Sequence, residues 1–204
     1  VEAGDYGPLC DNVSPITLTG TPTNSNGTWS GTGVTDNGNG TASFDPTGLS
    51  GSITVTYSYT DGNSCSNSDT ADIMVNTAPT VEAGDYGPLC DNVSPITLTG
   101  TPTNSNGTWS GTGVTDNGNG TASFNPAGLS GSITVTYSYT DGNSCSNSDT
   151  ANILVNTAPT VDAGNYGPLC DNVSPITLTG TPTNSNGTWS GTGVTDNGNG
   201  TASF

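Results

Sequence analysis

The sequence predicts an all-β fold, built as a tandem array of small antiparallel β-sandwich domains of about 80 residues each. The chain aligns with itself at a shift of 80 residues, which defines repeat 1 (1–80), repeat 2 (81–160) and repeat 3 (161–204). Each repeat contains segments in which apolar and polar residues alternate with the period of a half-buried strand. Stretches rich in Asn, Asp, Gly and Pro separate these segments and favour turns.

The repeats are nearly identical and long enough to be independent domains. A period of 80 residues exceeds the roughly 20 to 50 residues of most solenoid repeats. The segment NTAPT, at 76–80 and 156–160, has the Pro expected of a short, stiff link. We therefore expect domains at 1–78, 79–158 and 159–204, the last of them incomplete. Repeats 1 and 2 differ only at Asp45/Asn125, Thr47/Ala127, Asp72/Asn152 and Met74/Leu154.

Six or seven short strands are expected in each repeat. The clearest is SITVTYSYT (52–60), where Ile53, Val55, Tyr57 and Tyr59 share one face. ITLT (16–19) and ADIMV (71–75) follow the same period of two, and TWSGTGV and TASF follow it more weakly. No window has the spacing of an amphipathic helix. Low apolar content, at 29%, would also suit a disordered chain, but regular alternation favours folded strands.

The charge balance excludes several classes of function. The chain has no Lys, Arg or His, and its 17 acidic residues give a net charge of -17. Nucleic acid is excluded as a partner because phosphates are bound mainly through Lys and Arg. Catalysis that depends on His is impossible, and no cleft-forming insertion carries a carboxylate pair, so we expect no enzyme activity. No run of apolar residues is long enough for membrane insertion.

Two disulfides are predicted from the cysteine positions. A thin sandwich of this size needs a covalent staple, and each repeat has one Cys before ITLT and one between the last two strands. The predicted pairs are Cys10 with Cys65 and Cys90 with Cys145, which leaves Cys170 without a partner. The alternative is that these cysteines are buried free thiols.

A calcium site is the one cofactor site that the sequence suggests. The loop TDGNSCSNSD contains Asp61 and Asp69, and the predicted disulfide would bring Asp11 close to them. Clustered carboxylates of this kind are the ligands that Ca²⁺ prefers. An alternative that needs no metal is an Asx turn, in which the carboxylate accepts a backbone N–H. The equivalent residues in repeat 2 are Asp91, Asp141 and Asp149.

The tryptophans allow two interpretations. Trp29 lies in an alternating stretch, which favours an inward ring that faces Phe44 across a hairpin, with the turn at Asp36 to Gly40. Alternatively, Trp29, Trp109 and Trp189 could each present a face on which a sugar stacks, and the chain would then be a repeated glycan-binding or surface-binding module.

The motifs VEAGDYGPLC, ITLTGTP, GTWSGTGV and NGTASFDPTGLSGSITVTYSYTDGNSCSNSDTA resemble the tandem immunoglobulin-like, or PKD-like, repeats of giant surface adhesins of Bacteroidota. The resemblance covers each whole repeat. It implies an immunoglobulin-like sandwich in a protein exported by type IX secretion to the cell surface. It also implies O-glycosylation at the DTA motif, with Thr70 and Thr150 as acceptors.

The function expected from these observations is that of a structural extender or stalk, in a cell-surface adhesin or an extracellular filament. Its partners would be neighbouring repeats and other copies of the chain, with any surface or glycan target bound through regions outside this chain. Repeat 3 lacks the last two predicted strands. A continuing chain would supply them, or a neighbouring copy would donate them.

Overall fold

A computed structural model describes residues 1–204 and contains strands and turns but no helix. Repeats 1 and 2 have seven strands each, at equivalent positions. In repeat 1 they are β1 (Leu9–Cys10), β2 (Ile16–Thr19), β3 (Gly27–Gly31), β4 (Val34–Asp36), β5 (Thr41–Phe44), β6 (Gly51–Thr60) and β7 (Ser66–Asn76). In repeat 2 they are β8 (Leu89–Cys90), β9 (Ile96–Thr99), β10 (Gly107–Gly111), β11 (Val114–Asp116), β12 (Thr121–Phe124), β13 (Gly131–Thr140) and β14 (Ser146–Asn156).

Each complete repeat is a sandwich of two sheets. One sheet has the strand order β1-β7-β6-β3 and the other has the order β2-β5-β4. All pairs are antiparallel except β1 with β7, where Leu9 lies opposite Val75 and Cys10 opposite Asn76. The β6–β7 ladder extends over ten residue pairs, since β7 begins five residues before the predicted ADIMV segment.

The alternating pattern on β6 and β7 builds the core. Val55, Tyr57 and Ile73 are fully buried, while the intervening Thr and Ser residues face outward. Repeats 1 and 2 have separate cores of ten and eleven buried residues. Each sandwich therefore buries its own apolar face, which is the condition for an independent domain.

Trp29 lies in this core, but its predicted partner across a hairpin is wrong. The chain turns at Gly31 to Gly33 and passes from one sheet to the other, so that Trp29 pairs with Tyr57 while Phe44 pairs with Val34. Gly33 has a φ of +77°, and a Cβ there would lie 2.7 Å from the carbonyl oxygen of Asp45. The sheet change therefore requires glycine at this position.

Repeat 3 contains three strands in one sheet, of order β15-β17-β16. They are β15 (Thr177–Thr179), β16 (Thr195–Asp196) and β17 (Thr201–Ser203). Only part of the repeat is present in the sequence, and the residues equivalent to β6 and β7 are not. As a result, Trp189 is only half-buried and borders a cavity of about 310 Å³.

The strand order is that of an immunoglobulin-like sandwich. β3, β6 and β7 correspond to strands C, F and G of that fold, and β2, β4 and β5 correspond to B, D and E. Trp29 occupies the strand C position at which antibody domains bury a tryptophan against a disulfide between the sheets. Here the rings of Trp29 and Tyr57 are packed with their centroids 5.0 Å apart, and neither β2 nor β6 contains a cysteine.

Candidate functional site at the junction between repeats

The two cysteines of one repeat lie at opposite ends of the sandwich. Cys10 lies beside Asn76, the last residue of β7, whereas Cys65 immediately precedes Ser66, the first residue of β7. Ten residues of extended strand separate these two ends by about 33 Å, at roughly 3.3 Å per residue. A disulfide needs Cα atoms within about 7 Å, so one repeat cannot form the bond within itself.

The predicted pairing of the cysteines is therefore wrong. Cys10 of repeat 1 is bonded to Cys145 of repeat 2, with 5.6 Å between their Cα atoms. Cys65, Cys90 and Cys170 are free and exposed. Because the Cys10 end of one sandwich meets the Cys145 end of the next, repeats 1 and 2 are joined end to end.

Side-chain hydrogen bonds flank the disulfide on both sides. The Nδ2 of Asn12 donates to the carbonyl oxygen of Ser146 at 2.9 Å. The Nδ2 of Asn147 donates to the carbonyl oxygen of Pro79 at 3.0 Å. These two bonds run in opposite directions across the boundary, so each repeat supplies one donor and one acceptor.

The link between the repeats is fixed from within repeat 1 as well. The N–H of Ala78 donates to Oδ1 of Asp11 at 2.7 Å, and the N–H of Asp11 donates to the carbonyl oxygen of Asn76 at 2.9 Å. Asp11 therefore holds the beginning of the NTAPT segment against the end of its own sandwich. Since Pro79 lies one residue further on, its carbonyl is positioned to accept the bond from Asn147.

The effect of the junction is visible in one loop that occurs twice with the same sequence. The loop DGNSCSNS is at 61–68 and again at 141–148. In repeat 2 it contacts repeat 1 and Cys145 is fully buried, whereas in repeat 1 it contacts no other repeat and Cys65 is exposed. The same peptide is therefore either a free surface or half of a junction, depending on what lies next to it.

The acidic residues predicted to bind calcium do not come together. Oδ1 of Asp61 accepts the N–H groups of Asn63 and Cys65, and Oδ2 of Asp69 accepts the N–H of Ala3. Asp11 lies at the opposite end of the repeat from both. The equivalent residues Asp91, Asp141 and Asp149 make the same bonds in repeat 2. No group of three or more acidic or sulfur side chains could hold a metal ion.

These hydrogen bonds explain the shifted pKa values. The N–H groups of Cys65 and Asn63 stabilise the ionised carboxylate of Asp61 and lower its pKa below the ordinary value. The N–H groups of Ala83 and Thr150 lower the pKa of Asp149 in the same way. Asp61 thus accepts the N–H two residues further on, as the Asx-turn interpretation expects. Asp149 instead accepts the N–H of Ala83 from a distant segment of the repeat.

Where the repeats differ, the acceptor oxygen is retained although the charge is lost. Thr54 donates to Asp72 at 2.6 Å, and Thr134 donates to Asn152 at 2.7 Å. Asp45 and Asn125 likewise accept the N–H two residues further on, at 3.0 and 3.1 Å. These carboxylates therefore serve the fold through one oxygen atom, which an amide replaces.

The complete repeats present no tryptophan face to a sugar. Trp29 and Trp109 are 4% and 5% exposed. The Nε1 of Trp29 donates to the carbonyl oxygen of Gly40 at 3.0 Å, and the Tyr6 ring packs edge-on against the indole. The surrounding side chains cover the ring, so the structure favours core packing over a stacking platform.

The predicted glycosylation acceptors lie on the surface. Thr70 and Thr150 are exposed on β7 and β14, opposite Thr56 and Thr136 of the neighbouring strands. O-glycosylation at these two residues stays a prediction.

The residues that sequence reasoning missed are Asn12, Asn147 and the Pro79 carbonyl. Their signal is present in the sequence, because Asn12 and Asn147 each lie two residues after a cysteine that repeats every 80 residues. That signal becomes interpretable only when the two cysteines are known to lie at opposite ends of a sandwich.

Comparison with known proteins shows no family for this chain. No protein-family model matches the chain, and no curated protein matches it. Among solved structures, the chain is similar to titin domains Z1Z2 in complex with telethonin, at 15% identity, with 78% of this chain and 94% of that chain covered and a TM-score of 0.27. It is also similar to the tandem Ig repeats of Dlar, at 13% identity, 78% and 96% coverage and a TM-score of 0.31. Fibronectin(III)-like modules of CbhA from Clostridium thermocellum match at 11% identity, 76% and 91% coverage and a TM-score of 0.30.

Proposed function

We propose that the chain is a structural extender, a run of immunoglobulin-like beads that projects other parts of a protein from a bacterial surface or forms part of an extracellular filament. The observation that carries this proposal is the junction between repeats 1 and 2. It is held by a disulfide and by reciprocal side-chain hydrogen bonds, and does not depend on the linker alone. A junction of fixed geometry keeps successive repeats in a constant relative orientation, so that the array extends in one direction as repeats are added.

The near identity of the repeats supports the same proposal. Identical ends give every junction the same geometry, so that a longer array would form a straight or gently helical rod. The beads are the units predicted at 1–78 and 79–158, with part of a third at 159–204. Their partners are neighbouring repeats and other copies of the chain.

An extracellular location at a bacterial cell surface is part of the proposal. Disulfides persist mainly in oxidising compartments outside the cytosol. The chain contains no Lys or Arg, and therefore no bond that a trypsin-like protease would cut. The resemblance to Bacteroidota adhesin repeats points to the same surroundings, with Thr70 and Thr150 as glycan acceptors. The structure consists of strands and turns, and it contains no helix that could span a membrane.

Small-angle X-ray scattering of the oxidised chain tests the extender. A rod of fixed beads gives a distance distribution with a second maximum, displaced by the length of one bead, about 35–45 Å for strands of this length. Cys10→Ser removes the junction disulfide, and Cys65→Ser is the matched control because Cys65 is free. Scattering typical of freely jointed beads in the wild-type chain and in Cys65→Ser would contradict the proposal.

A further inference from the structure

The disulfide changes the covalent route along which tension passes through the chain. Without it, a pull on the two ends passes through every residue, and repeat 1 must carry the force through its own sandwich. With it, force that reaches Cys10 can pass directly to Cys145. The two cysteines are 135 positions apart in the sequence, and the segment between them then forms a side loop that bears no tension.

The short route is already extended in the folded protein. After Cys145 the chain enters β14 (Ser146–Asn156), which runs the length of repeat 2 as one strand. From Asn156 it continues into the link to repeat 3. Because the backbone of β14 is already extended, this strand lengthens little under tension before its covalent bonds carry the load.

The strand on this route is well supported from both sides. β14 makes a ten-pair antiparallel ladder with β13 and a parallel pair with β8. Its inward residues Ala151, Ile153 and Val155 belong to the core of repeat 2. The remaining strands of repeat 2 therefore brace the route without being part of it.

We propose that the disulfide between repeats makes this chain a tension-bearing tether, in which force bypasses residues 11–144 and cannot unfold either complete sandwich by extending it. This inference rests on the proposed extender function and adds to it the mechanical property that such an extender requires.

Single-molecule pulling on the 204-residue chain, with handles at its two ends, tests the tether. At about 3.4 Å per residue, the bypass shortens the fully stretched length by about 45 nm. We expect this shortening in the oxidised wild-type chain and its loss in Cys10→Ser. The double variant Cys65→Ser, Cys90→Ser keeps the bonded pair and should retain the full 45 nm or so of shortening.

The double variant separates the two pairings of the cysteines. If Cys10 were bonded to Cys65 and Cys90 to Cys145, the double variant Cys65→Ser, Cys90→Ser would contain no disulfide. It would then stretch as far as a chain with both Cys10→Ser and Cys90→Ser, and this result would overturn the tether. A wild-type chain that stretches as far as its reduced form would also overturn it. If the oxidised wild-type chain shows no shortening but its X-ray scattering is that of fixed beads, the tether proposal is wrong and the extender proposal stands. If the chain is shortened but its scattering is that of freely jointed beads, the extender proposal is wrong and the force bypass stands.

Discussion

The ring of Tyr57 occupies the space directly beside Gly27, where a Cβ atom would lie 1.8 Å from the tyrosine hydroxyl oxygen. Tyr57 is fully buried, and its hydroxyl donates to the carbonyl oxygen of Pro22. The ring also packs against Trp29. These contacts hold the Tyr57 ring in place, so it cannot move aside to accommodate a Cβ atom at position 27. The position therefore requires glycine.

Gly27→Ala should lower the free energy of unfolding of repeat 1 by about 1–3 kcal/mol, because the added methyl group overlaps the Tyr57 ring and forces the core to rearrange. Gly62→Ala is the matched control, since a Cβ there meets nothing within 4 Å. Urea unfolding monitored by tryptophan fluorescence measures the difference. Equal stabilities of the two variants would contradict the close packing of Tyr57 against Gly27.

Cys10→Ser should lower the stability of the linked repeats, and Cys65→Ser should leave it unchanged. In the chain-entropy model, closing a loop of this separation stabilises the folded state by about 5 kcal/mol. Thermal melting of both variants under oxidising conditions tests this, with wild type in dithiothreitol as a third sample. A drop of similar size in Cys65→Ser would mean that Cys65 takes part in a bond.

Asn147→Ala should weaken the junction, whereas Asn67→Ala should not. The two residues occupy the same place in identical loops, but only Asn147 donates across the boundary, to Pro79. Loss of one such bond costs roughly 0.5–1.5 kcal/mol. The coupling between repeats can be measured in the Cys10→Ser background, by nuclear magnetic relaxation of the two domains. Identical tumbling in both variants would show that the bond contributes nothing.

Trp29 and Trp109 should give blue-shifted emission that resists aqueous quenchers and does not respond to added sugars, because both indoles are buried. Trp189 is half-buried and should be quenched. Trp189→Phe isolates the two buried residues and provides the sharper measurement. A red-shifted emission that changes with sugar in this variant would favour the glycan-binding alternative.

Acid should destabilise the fold in part through Asp149. Its pKa in the folded state is lowered by the N–H groups of Ala83 and Thr150, while the unfolded value is about 3.9. The stabilisation is thus present above pH 4 or so and is lost as pH falls through the lower, folded value. Asp149→Asn should show a smaller loss of stability between pH 6 and pH 2.5 than wild type. Asp72→Asn is the control, because repeat 2 has Asn152 at that position.

Local patterns predicted most of the strands correctly. The alternation in ITLT and SITVTYSYT predicted β2 and β6, and the inward position of Trp29 follows from the same period of two. A period of this kind reports which face of a strand is buried. It does not report which strand lies opposite, and this is why Phe44 was expected beside Trp29 although the two residues pair with strands of different sheets.

The sequence by itself determined that this protein is a series of nearly identical β-sandwich repeats, because near-exact repetition and two-residue periodicity are properties of the chain alone. Only the tertiary structure decided what Cys10, Asp11 and Cys145 do. β7 spans the full length of a sandwich, with Cys65 next to its first residue and Cys10 paired with its last residue, so these two cysteines lie at opposite ends. Distance within one bead therefore forbids the pairing that spacing in the sequence suggested, and the bond forms between neighbouring beads.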